Sequence, residues 1–254
     1  MILGLFLLQF TLVWVKLWLF QPLLGNARWP DGLLVVLTTA TVLASLACQL
    51  PGQNVMLVSV IIAFLAGAVQ TLGALTAIPF GPLVYTEHIG QQLFYPLPWA
   101  MPMVWIALVL ASRGVTRLML RPWRRMKNYG FLLIGLTTIL VVAFDIALEP
   151  FARVKHLWLW QPTKIPVTWH GASPLSFLGW LGVSLLSLAV IMPYLIRKQP
   201  GNPSAPDFTP LALWLGAIAL FSFSAAQAAL WTAVAVNVAV AGVATIFSWR
   251  GAKW

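Results

Sequence analysis

Charge is what this sequence has least of. Five of 254 residues are acidic and fifteen basic, 8% charged in all, against about 25% in a typical soluble domain. That excludes an ordinary water-soluble globule. Cysteine occurs once, as Cys48, which excludes an internal disulfide and any cysteine-based metal cluster; it reads as a small hydrophobe inside a helix. No P-loop, GxSxG, HExxH or CxxC motif is present, so nothing points to nucleotide, serine-hydrolase or zinc-protease chemistry. The three histidines, His88, His156 and His170, share no spacing, which makes a weak case for haem or metal. The apolar/polar alternation of a membrane β-barrel is missing as well. The first residues lack a basic region and carry Lys16 where an apolar core would lie, so they are not read as a cleavable signal.

What is abundant is apolar length. The chain is 61% hydrophobic with a mean hydropathy of +0.90. A spanning helix needs about 20 apolar residues, and the runs that qualify are Ile2–Phe20, Gly32–Leu50, Val55–Ile78, Leu97–Ser112, Tyr129–Leu148 and Leu175–Ile196. A last run, Pro210–Trp249, would be roughly 60 Å long as one helix, twice the hydrocarbon thickness. It is read as two helices with a hairpin near Ser222–Gln227. The expected fold is all-α, a polytopic transmembrane bundle of about eight helices with seven as the fallback. No internal repeat or extramembrane domain stands out, so residues 1–254 form one integral membrane domain. The fourth span is short, and Pro98 and Pro102 make its start irregular.

The net charge of +10 would suggest nucleic acid in a soluble protein. Here the basic residues cluster between spans, so they set orientation instead. The loop "RGVTRLMLRPWRRMKN" (Arg113–Asn128) holds six of them and is placed in the cytoplasm. Alternation from there puts Arg197, Lys198, Arg250 and Lys253 on the same side, with both termini cytoplasmic in a cell inner membrane. A lipid-headgroup role for this loop is weighed against a plain topogenic one, and the topogenic one is preferred.

This topology gathers Asp31, Glu87, Asp145 and Glu149 on the other side, with all three histidines and Trp158, Trp160 and Trp169; only Asp207 lies inside. Asp145 is the most informative. It interrupts "FLLIGLTTILVVAFDIALEP", where an ionisable group is costly unless paired or neutral. Glu149 is four residues on, hence on the same helix face. Two carboxyls closing in a low dielectric can keep a proton between them and serve as a general acid. The competing reading pairs Asp145 with Arg153, Lys155 or a buried backbone group. Glu87–His88 is a second candidate, in "PFGPLVYTEHIG", which reads as a broken or re-entrant helix that lines a cavity or as a solvated loop. The loops Glu149–Pro174 and Phe80–Pro96 together would cap a pocket. The tryptophans of "HLWLWQP" fit an aromatic belt at the interface, or a wall that stabilises a cation through its π-face.

Two blocks carry a family likeness. The first is "QTLGALTAIPFGPLVYTEHIGQQLFYPLPWAMPMVW", with Phe80, Gly81, Tyr85, Ile89–Gly90, Pro96 and Trp105. The second is "FDIALEPFARVKHLWLWQP", followed by "SPLSFLGW", with Asp145, Glu149–Pro150, Trp158, Trp160, Gly179 and Trp180. In their order and spacing these resemble the CruF-like carotenoid biosynthesis family of membrane-embedded carotenoid hydratases. The blocks cover under a third of the chain. Gln70 stands where the pattern has Glu, Leu83 where it has Tyr, and Ser176 near an expected Asn.

The resemblance implies addition of water across the terminal carbon–carbon double bond of an acyclic, lycopene-like or longer carotenoid, giving a tertiary alcohol without nucleotide, metal or other cofactor. For that chemistry the residues favour Asp145 as acid, with Glu149 sharing the proton or positioning water and Glu87 as reserve acid. Gln70, Phe80, Tyr85, Trp105, Trp158, Trp160 and Trp180 would shape the substrate pocket. A groove open to membrane lipid would admit the polyene. The competing class is a non-catalytic carotenoid-binding or scaffold subunit of a membrane complex, a photosynthetic one included, which Gln70 and the missing Asn favour. A small-solute transporter is a third reading, opposed by the lack of a repeated half.

Overall fold

The computed structural model describes Gly4, Leu7, Thr11 and residues 29–162, 166–195 and 205–254. The first predicted span, Ile2–Phe20, lies almost wholly outside the described residues, as do Arg197 and Lys198. Seven α-helices are found among the described residues: α1 (Trp29–Ala47), α2 (Gly52–Thr76), α3 (Ala100–Met119), α4 (Tyr129–Val154), α5 (Pro174–Ile191), α6 (Thr209–Gln227) and α7 (Trp231–Ala252). The last six are long and apolar enough to cross a membrane, counting the 3₁₀ turn after α5 with it. The fold is an all-α polytopic bundle, with a helix count at the expected fallback.

Local chemistry sets several boundaries. Pro174 and Pro210 open α5 and α6 at the first turn, where a missing N–H costs nothing. α2 stops at Ala77, whose left-handed backbone returns its N–H to Gly73 O, and Pro79 follows. α3 is the central helix. It lies against α1, α2, α4, α6 and α7, and 72% of its spanning window is buried, against 22% for α7. Large side chains such as Phe64, Met56 and Phe131 are more than two-thirds exposed; in a bilayer they face acyl chains.

Four expectations change. α3 continues to Met119, so Arg113 and Arg117 sit on a helix rather than in a loop, and Arg113 is buried. α4 continues through Pro150 to Val154, so Asp145 lies more than two turns from its end. The α6–α7 turn falls at 228–230, later than expected, because Ser222 returns its hydroxyl to Ile218 O and stays helical. Cys48 lies just past α1 and is exposed, rather than inside a helix.

The 80–98 segment is not a broken helix. Leu83–Tyr85 (β1) pairs antiparallel with Trp158–Trp160 (β4), while Gln92–Phe94 (β2) pairs with Leu97–Pro98 (β3). Pro79, Pro82 and Gly81 at φ +95° prevent helix formation. Bonds from Thr86 N to Leu157 O and from Gln161 N to Pro82 O extend the β1–β4 ladder at both ends. The two predicted capping loops are thus joined into one ribbon over the end of the bundle opposite the arginines.

Candidate active site

The ribbon's register decides what faces the bundle. Side chains alternate along a strand, and directly opposed residues share a face. Leu83 opposes Trp160 and Tyr85 opposes Trp158, so these four point one way. Val84 and Leu159 point the other and are about half exposed.

Beneath them, α4 presents Asp145 and Glu149, stacked one turn apart and buried at 0% and 1% exposure. Trp158 Nε1 and Trp160 Nε1 donate to Glu149 Oε2 at 3.3 and 3.0 Å. Glu149 Oε1 and both oxygens of Asp145 have no hydrogen-bond partner among the described residues. The expected alternative, Asp145 bonded to Arg153, Lys155 or a backbone group, is not found. Buried polar atoms nearly always have partners, so three orphaned carboxyl oxygens together are an exceptional arrangement.

A small cleft opens beside the pair, with a volume of about 10 Å³, room for about one water molecule. Glu149 lines it with Tyr85, Phe80, Gln70 and both ribbon tryptophans; Asp145 does not. Trp180 closes one side and stacks on Trp105, with ring centroids 4.3 Å apart and planes 16° apart. Ser176 Oγ, also on the lining, and nearby Ser173 Oγ and Trp105 Nε1 are buried without partners among the described residues.

Two packing devices hold this wall. Phe80, 1% exposed, is inserted between α2 and α5. A methyl group at Gly73 or at Gly179 would lie 2.6 Å from its ring, so both positions are limited to glycine by space. The second device repairs α4. Pro150 has no N–H to give Ile146 O; Trp169 Nε1 supplies the donor from the outer loop at 2.9 Å. The loop is thereby fastened one residue from Asp145.

Tyr85 OH donates to Gln70 Oε1 at 2.5 Å, and its ring meets Trp158 edge-on at 6.5 Å. Burial, then Glu149 and Asp145, push the Tyr85 phenol above its ordinary range, so it stays a neutral donor. Gln70, the departure from the expected Glu, thus faces the cleft as an acceptor. His170 is held below its usual value by burial and by Arg153. Glu87 and His88 sit exposed on a 3₁₀ turn, Glu87–Ile89, off the cleft lining. Among the described residues no three metal-ligating side chains come together.

The carotenoid biosynthesis protein family model matches residues 31–246. The chain belongs to that family. The matched range takes in all seven helices but the ends of α1 and α7, and both ribbon strands, so the cleft is built wholly from the family's own segment. Searches of the curated proteins and of the solved structures returned no match. Sequence reasoning named Ser176 only as a departure near an expected Asn, and missed the buried Ser173 hydroxyl beside the cleft and Trp169 as a donor. Ser173 before Pro174 was readable as a helix start; the partner of Trp169 was not, because it depends on the loop's return to α4.

Proposed function

We propose that the protein hydrates the terminal double bond of an acyclic carotenoid, giving a tertiary alcohol, with Asp145 and Glu149 as a proton-sharing pair. The observation that carries this is the pair itself: two buried carboxyls, three of their oxygens without donors, one of them on the wall of an aromatic cleft. An isolated buried carboxylate is expensive, so the pair holds a proton. Glu149, on the cleft wall, delivers it to the less substituted alkene carbon. The positive charge forms on the tertiary carbon, where the faces of Trp180 and the ribbon rings stabilise it. Water then adds its oxygen to that carbon and returns a proton to the pair, so the acid is regenerated and only water is consumed. The roles of the two carboxyls shift from the sequence reading: Glu149 is the group in reach, and Asp145 lies behind it and shares its proton. Glu87 has no place in this chemistry.

The cleft has room for the water. The alkene tip needs Trp160 or the ribbon to move aside, and the lipid-facing surface of the helices gives a membrane-dissolved polyene its route. With the arginine-rich end in the cytoplasm, the cleft opens on the non-cytoplasmic side of the inner membrane.

The test is expression in a lycopene-making host. A new, more polar carotenoid is expected with the native chain. Asp145→Asn and Glu149→Gln are expected to insert and fold but to lose conversion by about 100-fold or more. Full activity in both variants removes the pair from the mechanism. Unchanged pigment co-purifying with the native protein would establish the non-catalytic binding subunit instead.

A further inference from the structure

At the opposite end of the bundle, the C-terminal end of α3 and the N-terminal ends of α4 and α6 surround a second and larger pocket, with a volume of about 120 Å³. Arg117, Arg121 and Arg124 line it, with the ring of Tyr129 at the start of α4. Asp207 is the one acidic residue on the lining, which leaves an excess of two positive charges. That carboxylate already accepts from Ser45 Oγ, from Gln49 Nε2 at 3.1 Å and from Thr209 N at 2.9 Å. Arg117 is held by Nη1 donating to Gln49 Oε1 at 2.7 Å, so its position is fixed rather than free to sweep solvent. One turn before it, Arg113 is 4% exposed. It donates through Nη2 to Leu195 O at 3.1 Å, and its Nε has no partner among the described residues.

Orientation in the membrane accounts for exposed basic residues but not for this arrangement. A topogenic charge works equally well on a mobile loop. Here guanidinium groups i and i+4 on α3 repel each other; Arg113 is buried behind the pocket wall, and Arg117 borders the concave space. The first turn of α4 adds its partial positive end, for Asn128 makes no side-chain cap. Arginine's planar fork matches tetrahedral oxyanions, and basic pockets between helix ends are where acidic headgroups bind.

We propose that this pocket binds a phosphate group through Arg117, Arg121 and Arg124, either the headgroup of an acidic phospholipid or a free phosphate. The site is independent of the carboxyl cleft.

The test uses the full-length protein in phosphatidylcholine nanodiscs. Thermal midpoint is followed while phosphatidylglycerol is added to the discs, or inorganic phosphate to the buffer. Either addition is expected to raise the midpoint; the first identifies a lipid source, the second a soluble one. Arg121→Gln with Arg124→Gln should weaken the effective addition by tenfold or more, since two charge-assisted contacts are lost. Arg250→Gln with Lys253→Gln removes the same charge from the exposed end of α7 and should leave the response intact. No response to either addition, or an equal loss in both double variants, overturns the proposal. Should the Arg121/Arg124 variant not fold, phospholipid retained by the native protein through delipidating purification and seen by native mass spectrometry decides the lipid case, and isothermal titration with phosphate the soluble one; absence of both overturns it.

Discussion

Trp169 and Ile146 are joined because Pro150 cannot do its helical duty. The indole N–H stands 2.9 Å from the carbonyl oxygen that residue 150 would have served. Trp169→Phe is therefore expected to destabilise the protein by ~1 kcal/mol, the cost of stranding a partly buried acceptor. Pro150→Ala restores the backbone donor and should remove most of that penalty. Thermal melts of both single variants and the double one measure the coupling; simple additivity would contradict it.

Gly179→Ala places a methyl group 2.6 Å from the Phe80 ring. The ring is walled in by Gly73 on its other side, so it must shift toward the cleft. We expect a stability loss of ~1–3 kcal/mol from overpacking together with a larger fall in carotenoid conversion. Gly182→Ala, three residues on with nothing within 4 Å of the new methyl, is the control. Equal pigment yields from the two variants would show that Phe80 does not shape the site.

Trp160→Phe keeps an aromatic ring, though a smaller one, and withdraws the shorter of the two bonds to Glu149. Conversion is expected to drop roughly tenfold, since Glu149 becomes a carboxylate as it gives up the proton and a hydrogen bond to a charged group is worth about 1.5–3 kcal/mol. In a Glu149→Gln background the same change should matter much less. Measured conversion rates for the four proteins of this cycle decide the point.

The Tyr85 phenol is raised by burial first, then by Glu149 and Asp145. An unfolded tyrosine ionises near pH 10, whereas this one keeps its proton. The associated stability is fully present below about pH 10 and is lost as pH rises above it. Phenolate absorbance of the native protein minus that of Tyr85→Phe should stay flat to about pH 11. A difference signal appearing near pH 10 would show that the phenol is solvated.

Much was legible in the chain. Hydropathy read the spans because each helix must satisfy its own backbone in lipid, whatever it packs against. The carboxyls at 145 and 149 stood out because ionisable groups inside apolar runs are costly, and their shared face followed from helical period alone. The surroundings of Glu87 were not legible: a residue's sequence neighbours do not reveal whether a turn faces the bundle or water, and this one is exposed. The re-entrant helix expected over Phe80–Gly90 gave way to a strand because its partner, Trp158–Trp160, lies some seventy-five residues later, and no local pattern announces such a pairing.

The amino-acid order by itself determined the membrane environment, the helical class and the location of a carboxyl pair on one helix. Folding in three dimensions decided which carboxyl reaches the cleft, which indoles hold it, and that the arginines after α3 close around a pocket instead of trailing as a loop. The division has a physical cause. Periodicity and transfer free energy act along the chain and can be read from it. Donors, walls and counter-charges come from segments far apart in sequence, and packing alone brings them together.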